Sequence, residues 1–181
     1  MRIIERYSHM GGAEVLESHH RTAWGDIERA VAAVDPVAVK TKKSREKGRE
    51  SVMLYSPKYM NKAIEDSLHA DGWEKLVESS DMLLDSDPRS GQSKREVDFV
   101  KDRVGVEVQF GKYAFIAYDF VKFLAFYEEQ IINVGVEIMA MHSLQREMSS
   151  GVGDWESAMR VLKTRPRGHP PMPLVLVGIG V

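Results

Sequence analysis

The amino-acid sequence predicts an α/β domain, a β-sheet flanked by helices. Three observations carry that reading. Short apolar runs at 97–100, 104–110, 134–141 and 174–179 have the length and valine-rich composition of strands. Two longer segments, 13–34 and 57–70, repeat apolar residues at helical spacing. Both kinds of segment occur along one chain, as in a layered sheet-and-helix domain.

Taken in order, Arg2–Tyr7 reads as a short strand. Ala13–Val34 reads as one amphipathic helix, with Leu16, Ala23, Ile27, Val31 and Val34 on its apolar stripe and Pro36 marking its end. A basic loop over 40–49 leads into VMLY. Ser56-Pro57 has the form of an N-cap with proline at the first helical position, opening a helix to about Ala70 with Met60, Ile64 and Leu68 inside. Residues 74–95 are polar and contain the loop DSDPRSGQS. The run Tyr113–Tyr127 is apolar nearly all round, which predicts a buried or interface helix. Val134–Met141 and Leu174–Ile179 suit central strands, and Asp154 is placed to cap a helix running to about Lys163.

At 181 residues the chain is expected to form a single domain over 1–181, large enough for one core. A hydrophobic content of 43% and a charged content of 29% are ordinary for a soluble globular protein, so composition excludes disorder and membrane insertion as the main class. The absence of cysteine excludes disulfides and thiolate zinc sites and makes a reducing cytoplasm the simplest home. No apolar stretch approaches the roughly 20 residues that cross a bilayer, and no signal-peptide pattern opens the chain.

The most informative stretch is VDFVKDRVGVEVQ, residues 97–109. Val104, Val106, Val108 and Phe110 alternate with Gly105, Glu107 and Gln109, the period of a strand with one buried and one available face. Folded about the turn Lys101-Asp102-Arg103, the two runs form a hairpin with Asp98 beside Glu107 and Gln109. Acidic residues on a hairpin often simply face water. Two carboxylates converging on an apolar hairpin are otherwise costly unless a cation sits between them, and a hard divalent ion such as Mg²⁺ is the natural occupant.

The net charge of −2 does not by itself point to DNA, but the basic residues are unevenly placed. Lys40, Lys42, Lys43, Arg45, Lys47 and Arg49 fall within ten residues, and Arg160, Lys163, Arg165, Arg167 and His169 form a second group. Either group alone reads as a solvated loop. Together, in a chain with an acidic remainder, they point to a charged cleft, with Lys42, Lys43, Arg45, Arg165 and Arg167 as candidate DNA contacts. Asn61 and Glu65, one helical turn apart, read as a solvated pair that can also line a cleft. His19-His20 point different ways on a helix and do not suggest a shared metal, and Trp24, Trp73 and Trp155 read as packing anchors.

The run DFVKDRVGVEVQFGKYAFIAYD resembles the active-site hairpin of type II restriction endonucleases of the BglII/BstYI type, within the PD-(D/E)XK nuclease superfamily. MRIIERYSH, LYSPKYMNKAIEDSLHADGW, NVGVEIMAM, Ser149-Ser150-Gly151 and PLVLVGIG are similar to the same family in the same order, and the likeness fails mainly over about 74–95. The resemblance implies a restriction-endonuclease-like fold, a central mixed β-sheet flanked by helices. It implies Asp98 and Glu107 as metal ligands, completed by the backbone carbonyl of Val108, with Mg²⁺ as cofactor and Mn²⁺ as substitute. Gln109 stands where most of the superfamily has lysine, and it cannot carry charge or act as acid or base; EVQ is nonetheless the form this family carries. Lys112 lies where the family contacts bases, although contact with phosphate or solvent is as open. Ser150, with Ser149 beside it, lies at a recognition position. The activity implied is Mg²⁺-dependent hydrolysis of double-stranded DNA at a short palindrome with a central GATC, RGATCY-like, by a homodimer in a prokaryotic cytoplasm. Two alternatives remain: a DNA-binding protein on this fold without turnover, and a repair-type nuclease that recognises structure.

Overall fold

The computed structural model of the chain describes residues 1–45, 47–48, 50–80, 93–164 and 168–181. Those residues contain eight strands: β1 (Arg2–His9), β2 (Lys42–Lys43), β3 (Met53–Leu54), β4 (Glu74–Ser80), β5 (Ser93–Lys101), β6 (Val104–Gln109), β7 (Val134–Ala140) and β8 (Leu174–Gly180). The helices are α1 (Gly12–His19), α2 (Arg21–Ala32), α3 (Pro57–Ala70), α4 (Ile116–Glu128), α5 (His142–Gln145) and α6 (Trp155–Thr164). Six strands form one sheet in the order β1-β8-β7-β6-β5-β4. The central trio β6, β7 and β8 is parallel, and the flanking strands run antiparallel to their neighbours. This is the central mixed sheet flanked by helices that the sequence predicts.

Every residue of β7 and β8 is buried, as strands covered on both faces require. Alternation sends Val104, Val106, Val136, Ile138, Val175 and Val177 to one face, where Leu16, Ile27, Met60, Ile64 and Leu68 of α1, α2 and α3 close the larger core. Met139, Leu174 and Leu176 look the other way, onto Phe120, Phe123 and Phe126 of α4 and Ala158 and Leu162 of α6. Glu107 and Glu137, in register on β6 and β7, share that second face and lie under α4.

Four local expectations are corrected. The helix expected over Ala13–Val34 is two helices, broken at His20 (φ −132°, ψ 38°). The first lies on β7 and β8 and the second packs on α3, so a bend between them lets one apolar stripe serve two surfaces. Glu74–Ser80, within the polar segment given no element, is an edge strand paired with β5; among the described residues it is bonded on one side only, so its sequence need not be apolar. Residues 85–92 of the expected DSDPRSGQS loop lie outside the described residues, and its last residue, Ser93, begins β5. The basic loop over 40–49 contains the ladder Lys42↔Leu54 and Lys43↔Met53 and is a small hairpin at its base. Ser56 stands at the N-cap of α3 before Pro57, but its hydroxyl makes no cap bond. Asp154 does cap, its Oδ1 accepting from the Ser157 amide at 2.7 Å.

Candidate active site

The β5–β6 hairpin turns through Asp102 and Arg103, both left-handed (φ 49° and 64°), the pair of positive φ values that a tight two-residue turn requires. Its ladder runs Lys101↔Val104, Val100↔Gly105 and Phe99↔Val106 and then stops. At that point Asp98 Oδ2 accepts the Val108 backbone N–H at 3.1 Å. A side chain has replaced the main chain as the bonding partner, and the strands part. Val97 and Phe99, two residues apart, pack into opposite cores rather than one, so β5 is irregular at Asp98. The parting opens a cleft of about 470 Å³ lined by Asp98, Glu107, Val108, Gln109, Asn61, Glu96, Phe115, Tyr118, Asp119 and Lys122.

The sequence-predicted trio Asp98, Glu107 and Gln109 therefore lines one cleft. Glu107 is 5% exposed, and its Oε1 accepts from Lys122 Nζ at 2.7 Å. The same ammonium lies 2.9 Å from Asp119 Oδ1. Gln109 does not stand free: its Nε2 donates to Asp119 Oδ2, and its Oε1 accepts the Gly111 amide at 2.8 Å. Desolvation, followed by the charge of Asp98, pushes the Glu107 carboxyl up to about 8, against the opposing pull of Lys122. Burial would lower the Lys122 ammonium, but Glu107 and Asp119 outweigh it and hold the group firmly protonated. Beneath them Glu137 is 0% exposed and neither carboxyl oxygen has a hydrogen-bond partner among the described residues; desolvation, then Asp119 and Glu107, raise it well above the carboxylate range.

The donor set fits a hard cation. Asp98, Glu107 and the Val108 carbonyl are all oxygens, and the repulsion between Asp98 and Glu107 is what a cation between them relieves. Among the described residues no three His, Cys, Asp or Glu side chains converge as a ready-made cage.

Past β6 the chain carries Lys112, exposed, and ties it to the loop after α5. Lys112 bridges Val152, Tyr113 N–H donates to Gly151 O at 3.2 Å, and Gly153 N–H donates to Gly111 O at 3.0 Å. From the other side Lys42 Nζ donates to Ser149 Oγ, and Lys40 pairs with Glu147 at 2.6 Å. Lys42, Arg45, Ser149 and Ser150 line one recess. Three segments far apart in the chain, holding Lys42, Lys112 and Ser149-Ser150, thus meet on one surface. Lys43 is exposed on the same small hairpin. Arg165 and Arg167 lie outside the described residues. Asn61 and Glu65 both face cavities that contain Asp98, so the cleft-lining option is the one the structure takes.

Asp119, Lys122 and Glu137 were not singled out from the sequence. Their signal was present: an aspartate and a lysine three apart in an otherwise apolar helix, and a glutamate in a strand of valine and isoleucine, are charges that need partners. What the pattern could not supply was the partner.

A family model described as restriction endonuclease BglII/BglIII matches residues 4–179. Among solved structures, that of restriction endonuclease BglII complexed with a DNA 16-mer is similar at a TM-score of 0.79 and 21% identity, covering 100% of this chain and 79% of the other. The free BglII structure is similar at a TM-score of 0.68 and 19% identity, covering 100% and 80%. No curated protein matches the chain by sequence.

Proposed function

Because the chain belongs to the BglII/BglIII family of restriction endonucleases, whose members are type II site-specific nucleases, we propose that it is a Mg²⁺-dependent homodimer cutting both strands of duplex DNA at a short palindrome with a GATC centre, RGATCY-like. The observation that carries the reading is the parted hairpin, which sets Asp98 and Glu107 around Val108 in an open cleft.

Asp98 and Glu107, with the Val108 carbonyl, would hold the ion; Mg²⁺ there supplies charge compensation for the scissile phosphate and acidified water, with Mn²⁺ as substitute. The chain's own groups do the rest. Asp98 holds the strands apart through the Val108 amide, fixing the angle at which both carboxylates meet the phosphate. Glu107, buried and tied to Lys122, would take the ion as its second carboxylate or position the attacking water. Gln109, held by Asp119 and Gly111, positions without charge. Lys112, Ser149 and Ser150 meet base edges, lysine suiting guanine O6 and N7. Lys42, Lys43 and Arg45, together with Arg165 and Arg167, meet phosphates.

A palindrome cut on both strands requires two sites related by a two-fold axis, hence a C₂ dimer. The outer face of α4, where Val121 is 57% exposed beside Ala117 and Leu124, is apolar enough to take a second copy. We place the whole chain in one domain, acting in a prokaryotic cytoplasm.

The test is digestion of a fully sequenced plasmid with and without Mg²⁺, followed by sequencing of the fragment ends. Discrete fragments ending at one GATC-centred palindrome, only with metal, are expected. Specific binding without cleavage under any divalent metal would leave a non-cleaving DNA-binding protein, with Gln109 as the first suspect. Cleavage of branched or unrelated duplexes would instead indicate a structure-specific nuclease.

A further inference from the structure

We propose that Lys122 is a positioning residue for DNA cleavage: its ammonium is the fixed charge that holds Glu107 and Asp119 at the cleft, in place of any charge from position 109. The proposal rests on the nuclease reading above.

Lys122 comes from α4, close in sequence to Phe120 and Phe123, which both pack in the second core. Its side chain is only 9% exposed, and the carboxylates it contacts, Glu107 and Asp119, are 7% and 3% exposed. Taking three charges out of water is expensive, and such a group is frequently no more stable than an apolar replacement of equal volume. Stability therefore does not account for the arrangement. Its placement does: of the described side chains lining the cleft, Lys122 is the only cation, facing Glu96, Asp98, Glu107 and Asp119.

The contacts form a continuous chain. Lys122 joins Glu107 to Asp119, Asp119 accepts from Gln109 on its other oxygen, and Gln109 accepts from Gly111, the residue before Lys112. The ammonium thus sets the rotamer of the carboxylate at the reaction centre and, through Asp119, that of Gln109. Gln109 and Lys122 reach opposite oxygens of one carboxylate. A lysine at 109 would bring positive charge to the same carboxylate from the other side.

The experiment compares wild type, Lys122→Met, Lys122→Arg, Gln109→Lys and the double variant Gln109→Lys/Lys122→Met. The readouts are single-turnover cleavage of the plasmid that wild type cuts, duplex affinity in Ca²⁺, and melting temperature. Lys122→Met is expected to slow cleavage by about 100-fold or more, with affinity within about threefold, because a fixed charge near the reacting phosphate is lost while the DNA surface is not. Lys122→Arg should stay within about tenfold of wild type, and the double variant should cut at least about tenfold faster than Lys122→Met, because each restores a cation beside Asp119. Cleavage by Lys122→Met within threefold of wild type overturns the proposal. So does failure of both Lys122→Arg and the double variant to exceed Lys122→Met while melting near wild type. If Lys122→Met does not fold, Lys122→Arg decides, and cleavage about 100-fold or more below wild type by a Lys122→Arg protein that melts near wild type overturns the proposal. A wild type that cuts no DNA removes the nuclease reading itself, and this proposal with it.

Discussion

At the scale of single residues the cleft is governed by what burial does to charge. Asp98 makes a structural bond to the Val108 amide and has the proposed task of holding the ion, and substitution separates the two. Asp98→Ala is expected to abolish cleavage while DNA binding in Ca²⁺ is largely kept, and to cost about 1 kcal/mol of stability through the lost Val108 bond. Asp98→Asn should lose cleavage equally but melt like wild type, since its amide oxygen still accepts that N–H. Wild-type turnover by either variant would remove Asp98 from the site. Glu137 makes a prediction about pH. Its folded-state pKa is raised above the unfolded value of 4.5, so above that pH the folded state binds more protons than the unfolded one and stability falls as pH rises. Glu137→Gln should therefore match wild type near pH 4.5 and exceed it by about 1–3 kcal/mol at pH 8. Glu107, raised to about 8, adds a slope that both proteins share. Parallel melting curves of the two proteins against pH would show that Glu137 does not titrate late. Asp98, Glu107 and Gln109 were legible because a period of two marks a strand face. Asp119 and Lys122 were not, because a helix of apolar residues conceals which of its positions meets the sheet.

At the scale of elements, the layers depend on a few close approaches. Gly12 begins α1 directly over β8, where a Cβ would lie 2.5 Å from the Leu174 carbonyl oxygen. Backbone cannot move aside as a side chain can, so Gly12→Ala is expected to destabilise by about 1–3 kcal/mol in a urea titration. Gly25→Ala, where a Cβ meets only the flexible end of Arg29 at 3.6 Å, should be neutral or slightly stabilising. Equal stabilities for the two would show that α1 shifts freely on the sheet. Strands buried on both faces and the proline-started helix could be read directly, since each writes its environment into a run of like residues. The edge strand Glu74–Ser80 could not, because among the described residues it pairs on one side only and an edge strand's sequence is free to be polar.

At the scale of the whole molecule, association and charge decide function together. If α4 carries the two-fold, Val121→Glu places a charge on each side of an apolar contact. Sedimentation should then show a monomer, with double-strand cleavage lost before nicking. A Val121→Glu protein that remains dimeric would move the interface elsewhere. Lys42→Ala and Lys112→Ala separate positioning from reading. Lys42→Ala should weaken all duplexes alike and reduce the salt dependence of binding by about one counterion, whereas Lys112→Ala should cost about 1–3 kcal/mol mainly at the cognate site. Identical losses on cognate and unrelated duplexes would make Lys112 a phosphate contact. A net charge of −2 is no obstacle, because local placement matters more: Glu96, Asp98, Glu107 and Asp119 line the cleft, while Lys42 and Arg45 line a recess beside Ser149 and Ser150.

The amino-acid sequence by itself determined the layered α/β class, the buried strands near 134–141 and 174–179, the helix opening at Pro57, and the hairpin whose two strands bring Asp98 and Glu107 to one cleft. These are local matters, settled by periodicity and turn chemistry within about twenty residues. Only the tertiary structure decided the break at His20, the strand at Glu74–Ser80, the meeting of Lys42 with Ser149 across 107 positions, and the burial of Lys122 between Glu107 and Asp119. Those depend on which surfaces come together, and the cost of a buried charge is defined only once its neighbours are in place.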